Sequence, residues 1–224
     1  ISISIIGASQ ESAGTVTDID GNVYQTVKIG EQIWMAENLR TTKYIDGSII
    51  PLVSDFSAWD NLETHGFCYY GNNPAEFENT YGALYNWYAV NTGYLCPDGW
   101  HVPTDDEWHQ LISFLDPDAI INDPKETFSE SLIAGELLKE SGDKHWLNSN
   151  TKTTNESGFT ALPGGFRLFV MGVFSGISEK GEWWTSTESG EGTAWGRFMF
   201  FDDSRVERGF GGKRSAFSVR CVKD

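Results

Sequence analysis

Three cysteines, four histidines and a few acidic runs are the side chains of this 224-residue chain whose types and spacing suggest chemistry. Cys68, Cys96 and Cys221 form no CxxC pair, so neither a zinc ribbon nor a dithiol redox motif is encoded. His65, His101, His109 and His145 include no HExxH. His101 and His109 straddle the start of a helix without sharing one of its faces, and a metal site built on them competes with ordinary core or surface histidines. Asp18-Ile19-Asp20-Gly21-Asn22 partly matches a calcium loop, but the further ligands and the distal glutamate of an EF-hand are missing, and a hairpin turn fits better. Asp105, Asp106 and Glu107 fall in the first turn of a helix, where negative charge complements the macrodipole; that accounts for them without acid–base catalysis. Gly209-Phe210-Gly211-Gly212-Lys213 lacks the spacing of a phosphate loop and reads as a glycine-rich turn between strands. There is no GxSxG elbow, although a triad of distant residues stays open.

Those groups need a scaffold, and the bulk composition describes it. The length suits one good core. Aromatic residues make up 14% of the chain, with nine Trp and 24 Gly, which indicates a loop-rich fold packed by large rings. Lys+Arg is 16 and Asp+Glu 32, a net charge of −16. Such a surface repels phosphate backbones and anionic headgroups, so nucleic acid and membrane surfaces are poor partners and a cation or a neutral ligand fits better. No apolar run is long enough to cross a bilayer. The Ile1–Ile6 run is too short and lacks the basic residues of an intact signal peptide; it is an edge strand or the start of a processed chain. We take residues 1–14 as a tail or edge strand and 15–224 as a single domain.

Thr15–Ile19 and Val23–Ile29 read as a hairpin closed at Asp20-Gly21, with Ile33–Ala36 as a third apolar segment. Residues 41–80 form a turn-rich excursion, and Tyr81–Val90 suits a short aromatic helix. Thr104 and Glu107 have the spacing of a capping box, and Trp108, Leu111, Ile112 and Leu115 then share one helical face that ends before Pro117. A second helix is expected over Ser131–Glu140, packed by Leu132, Leu137 and Leu138. Beyond Thr153, strands are expected at Phe159–Leu162, Phe166–Val173, Glu182–Thr187, Ala194–Phe201 and Ala216–Val222; in the last, Phe217, Val219 and Cys221 alternate with Ser218 and Arg220 as in a half-buried strand. Helices between terminal groups of strands imply α+β, with N- and C-terminal strands in one sheet.

Several of these segments, taken in order, carry a resemblance. DIDGNVYQTVKIGEQIWMAENLRTTKY (18–44), YGALYNWYAV (81–90), LCPDGWHVPTDDEW (95–108), ESGFTALPGGFR (156–167), WWTSTE (183–188) and FSVRCVKD (217–224) closely resemble the Fibrobacter succinogenes major paralogous domain. That family, found largely in exported or lipid-anchored bacterial proteins, is in turn similar to the C-type lectin-like group containing the formylglycine-generating, sulfatase-modifying proteins. The link is HVPTDDEW before a helix and the SVRCVKD ending. The resemblance implies a twisted, mostly antiparallel sheet with adjacent termini, flanking helices and long loops, and an extracytoplasmic location, secreted or lipid-anchored at the cell surface. By the same resemblance Cys96 and Cys221 are paired, closing a loop of about 125 residues, and Cys68 is left over; three small buried hydrophobes is the alternative.

The sulfatase-modifying activity itself is not expected, because Ala216 and Gly211 occupy the positions of its two catalytic cysteines. The EPN, QPD and WND signatures of calcium-dependent sugar binding are also missing. Asp202 and Asp203, with Glu188, are the candidate calcium ligands, and solvated loop acids the alternative. Trp183, Trp184 and Trp195 lie where the fold carries long loops and are candidates, again with Glu188, for stacking on a ligand; core packing is the competing reading. The leading expectation is a non-catalytic binding or adhesion module for a glycan or a surface protein. An enzyme with a loop-built carboxylate and histidine site, and a structural domain of a surface assembly, are its rivals.

Overall fold

In the computed structural model, which describes residues 12–120, 129–147 and 152–224, the chain opens on three antiparallel strands: β1 (Ser12–Thr17), β2 (Val23–Ile29) and β3 (Gln32–Met35). The Ile1–Ile6 run lies outside the described residues. Asp18 makes the first turn. Its Oδ1 accepts the N–H groups of Asp20 (3.0 Å) and Asn22 (2.9 Å), and its Oδ2 accepts the Tyr24 hydroxyl (2.6 Å) and the Asn22 amide (2.9 Å). Gly21 sits at φ +87°, where a side chain would be strained. Asp20 reaches across instead to the Thr42 N–H (2.6 Å) and the Lys43 ammonium (2.8 Å). Burial raises its pKa, but these partners outweigh that and hold it at about 2. Both acids of the DIDGN run are thus engaged in the turn and its contacts.

The middle of the chain alternates short elements: α1 (Phe56–Asp60), β4 (Phe67–Cys68), α2 (Pro74–Tyr81), β5 (Leu84–Asn86), α3 (Trp87–Val90), β6 (Trp100–His101), α4 (Asp105–Leu115), β7 (Ser129–Ser131) and α5 (Ala134–Leu138). The aromatic segment expected as one helix over Tyr81–Val90 is a strand and a helix joined at Asn86. The capping box of α4 is present: the Thr104 hydroxyl accepts the Glu107 N–H (3.2 Å), and the Glu107 carboxylate accepts the Thr104 N–H (2.7 Å). Trp108, Leu111 and Ile112 are buried as their spacing demands. The second helix is shorter than expected, and Leu132, outside it, is exposed while Leu138 is buried.

The last part is β8 (Gly164–Arg167), β9 (Phe174–Ile177), β10 (Lys180–Gly190), β11 (Thr193–Phe200), β12 (Val206–Gly212), β13 (Ala216–Phe217) and β14 (Val222–Lys223). Three expectations change here. Phe159–Leu162 contributes only a bridge between Ala161 and Lys139. The strand from Phe166 ends at Arg167, before a turn at Val170–Gly172 in which Met171 has φ +61°. The GFGG segment is most of β12 rather than a turn. Its glycines leave room for rings: a Cβ at Gly209 would collide with Phe198, and one at Gly211 would stand 2.6 Å from Phe217 and 2.7 Å from Trp184.

Among the described residues these strands form two sheets, in the orders β1-β2-β3-β14-β6 and β4-β5-β13-β8-β10-β11-β12-β7, with β9 on β8. The architecture is α+β, mostly antiparallel, with early and final strands adjacent. Trp34, Trp108, Phe159 and Trp183 pack one core; Tyr85, Trp87, Trp184 and Phe217 pack another. Ser218 and Arg220 are as buried as their neighbours, so the last segment is enclosed on both sides. The Arg220 guanidinium donates to Asn38 Oδ1 (2.9 Å) and to the carbonyls of Phe159 and Thr160, and burial lowers its pKa to about 9. Cys96 and Cys221 are joined, Cα–Cα 6.0 Å, tying the loop before β6 to the chain between β13 and β14. Closing so long a loop contributes on the order of 4–5 kcal/mol by loop entropy. Cys68 is free and buried, its thiol pushed up to about 12.

Candidate functional site

Asn86 ties its own helix to a segment some twenty residues earlier. Its Oδ1 caps α3 by accepting the Ala89 N–H (3.1 Å) and also accepts the Gly66 N–H (3.1 Å), while its Nδ2 donates to the Thr64 carbonyl (2.7 Å). Trp87 Nε1 donates to the Thr185 carbonyl (2.9 Å) and fixes α3 on β10. A tight turn, with the Gly47 N–H on the Tyr44 carbonyl (2.8 Å), brings Ile49 and Pro51 alongside. The result is an open cleft of about 490 Å³ lined by Ile49, Pro51, Glu63, Thr64, His65, Tyr88, Asn91 and Thr92. That size is ordinary for small-ligand sites.

Next to the cleft, the Tyr44 ring meets His65 edge to face at 5.6 Å. The Tyr44 hydroxyl is buried beside the Thr92 hydroxyl. Its pKa is pushed up by burial and by Asp46, with the neighbouring Thr92 hydroxyl opposing. Hydroxyls, an amide, an imidazole and a carboxylate thus surround the space beside an aromatic ring and an apolar edge. No hydrogen bond links His65 to a hydroxyl or a carboxylate among the described residues.

The tryptophans singled out from the sequence lie elsewhere. Trp183 and Trp184 are wholly buried, the first against Trp108 and Phe159, the second stacked on Phe217 at 4.0 Å, so neither offers a ring to a ligand. Trp195 is nearly buried, with the Arg208 guanidinium 3.5 Å from its ring centre. Glu188 binds the Lys213 ammonium at 2.6 Å. Asp203 pairs with Arg205, and the Lys139 ammonium donates to the carbonyls of Phe200 and Asp203. Burial lowers the Lys139 pKa to about 8 against the pull of Asp203 and Asp202. A cation bound by the Asp203 carboxylate would therefore have to displace Arg205. Among the described residues no group of three or more His, Cys, Asp or Glu side chains is placed to hold a metal ion.

A sealed ionic cluster was not foreseen. Asp105 does more than complement a helix dipole: its carboxylate takes Arg197 Nη1 at 2.7 Å and Arg208 Nη2 at 2.7 Å. Arg197 also holds Glu130 of β7, with Nε and Oε2 2.6 Å apart as an ion pair, and His109 stands between Asp105 (3.3 Å) and Glu130. Burial raises the Asp105 pKa, but His109, Arg208 and Arg197 outweigh it and hold the carboxyl far below the usual range. Burial lowers His109, but Asp105 and Glu130 raise it to about 9. The charges of the cluster are paired with one another, and the cluster fastens α4 and β7 to β11 and β12. Two of the other histidines are also engaged: His101 bridges Glu107 (2.8 Å) and Asp224 (2.6 Å), and His145 meets Glu140 (2.8 Å).

No helix among the described residues is long and apolar enough to cross a membrane. Comparison with curated proteins and with solved structures returns no match. The family model described as the Fibrobacter succinogenes major domain matches residues 27–223, nearly the whole described structure, and the chain belongs to that family.

Proposed function

We propose that the chain is a non-catalytic, extracytoplasmic binding module on a C-type lectin-like scaffold, and that the cleft around Tyr88 and Asn91 takes a neutral glycan. The observation that carries this reading is the contrast in the use of polar groups. The charged groups singled out elsewhere, the Asp105 cluster, Glu188 and Asp203, are held by cationic side chains, whereas the cleft offers hydroxyl, amide and imidazole groups beside an aromatic ring. A sugar presents an apolar face and a rim of hydroxyls, which suits such a lining. The mostly antiparallel sheets, the adjacency of β3 and β14 and the Cys96–Cys221 bond support the scaffold. A disulfide also suits an oxidising compartment. The reading needs no calcium, because Asp203 and Glu188 are already paired with cationic side chains.

The test is a glycan array on the folded protein, with calcium and again with chelator. Binding to one sugar class, unchanged by chelator and lost in Tyr88→Ala and Asn91→Ala, is the expected result. Silence under both conditions refutes the glycan reading. The rival in which the domain joins a surface assembly has one observation in its favour: Phe56, Val170 and Met171 expose an apolar rim. Loss of self- or partner-association in Met171→Ser, with the array silent, would move the assignment there.

A further inference from the structure

One face of the larger sheet gathers phenylalanines around an acid. β8 contributes Phe166, β11 Phe198 and Phe200, and β13 Phe217, with the Phe166 and Phe198 ring centres 6.4 and 5.8 Å from that of Phe217. Glu182 of β10 lies among them: it pairs in register with Phe198, and the Gly181–Gly165 pairing brings Phe166 alongside. Its side chain is more than nine-tenths buried, and no hydrogen bond or ion pair reaches its carboxyl. Two residues earlier on the same face, the Lys180 ammonium rests 5.5 Å from the Phe166 ring centre and 5.2 Å from that of Phe200, within cation–π range, without pairing with Glu182.

We propose that this cluster of rings and acid binds an organic cation, an alkylammonium or guanidinium group, in the place the Lys180 ammonium now takes, with Glu182 as counter-ion and the phenylalanine faces as walls. An isolated carboxyl among rings is costly to bury, and a cation between them is what both the acid and the ring faces favour. The Lys180 contacts show that the rings already accept an ammonium. The net charge of −16 draws cations toward the protein.

Burial pushes the Glu182 carboxyl up to about 8, with Lys180 opposing, so near neutral pH it is mostly protonated. Entry of the cation then releases that one proton to solvent and breaks no covalent bond. The elements packed around Glu182 bring few charges: β8, β11 and β13 present Phe166, Phe198 and Phe217, β10 presents Lys180, and β12 presents Glu207 opposite Phe198, itself 3.7 Å from Arg205. Affinity is therefore expected to rise as pH passes through about 8.

The experiment is a titration of the protein with n-butylammonium and with methylguanidinium, against sodium at matched ionic strength, followed by the amide NMR shifts of Lys180, Glu182 and Phe198. Saturable shifts with both organic cations and none with sodium are expected. Glu182→Gln keeps the shape of the neutral acid, so the fold is retained; it should weaken binding by about tenfold or more and flatten the pH dependence. Lys180→Ala should tighten binding, and if it does not, the displaced-occupant role is wrong. Absence of saturable shifts, or unchanged affinity in Glu182→Gln, overturns the site.

Discussion

The ionic cluster at Asp105 and the cleft at Tyr88 are both assembled from distant segments, yet they use polarity in opposite ways. In the cluster, two carboxylates, two guanidiniums and an imidazole are withdrawn from water and matched to one another. Such a group holds elements together and has little left to offer a ligand, because removing any member strands another charge. In the cleft, the side chains that fix the geometry and those that face the open space are different residues. Asn86, fully buried, fixes the walls; Tyr88, Asn91 and Thr92 line the space. A perturbed pKa thus marks construction in this protein at least as well as it marks function.

The contrast breaks most easily at Arg197. Arg197→Ala leaves Glu130 with His109 alone and Asp105 with Arg208 and His109, one cation short in the interior, and should cost about 3–5 kcal/mol, read as a lower urea midpoint. If the loss is under about 1 kcal/mol, the cluster does not fasten the strands as described.

Next is the pH dependence of the same cluster. His109 has a folded pKa of about 9, raised above its ordinary value, so its contribution is fully present below about pH 6.5 and is lost as pH rises through 9. Partial exposure screens the effect to on the order of 1–2 kcal/mol. His109→Gln should remove that alkaline slope, and an unchanged slope would assign it to another group. Glu182, also raised, loses its contribution earlier, between its ordinary range and about 8, so Glu182→Gln separates the two.

Asn86→Ala tests the clamp. It removes the α3 cap and strands the Gly66 N–H, for about 1–2 kcal/mol of stability, and it should weaken ligand binding as the walls separate. Smallest in stability is Asn91→Ala at an exposed position, expected within about 0.5 kcal/mol of wild type by thermal unfolding although ligand binding is weakened.

These regions also differ in how well the sequence announced them. The α4 capping box and its apolar stripe are local, so Thr104, Glu107, Trp108 and Leu111 were legible from spacing alone, as was the first hairpin. Asp105 was misread because its partners, Arg197 and Arg208, come from strands formed much later in the chain. β12 was taken for a turn because its glycines suggest flexibility, whereas their role is to admit the rings of Phe198, Phe217 and Trp184. The tryptophans were proposed as ligand platforms on loop position, but Trp183 and Trp184 lie on the inner stretch of a long strand. The cleft had one local signal, an Asn before an aromatic run, and that residue's hydrogen bonds to Thr64 and Gly66 depend on a loop encoded some twenty residues earlier.

The most direct test of the account is the affinity of one array-identified glycan for wild-type protein, Tyr88→Ala and Trp195→Ala, measured with chelator present. The account predicts that Tyr88→Ala abolishes binding while the wild type and a folded Trp195→Ala bind alike. Binding that survives Tyr88→Ala and disappears in Trp195→Ala would place the site among the long loops and contradict it.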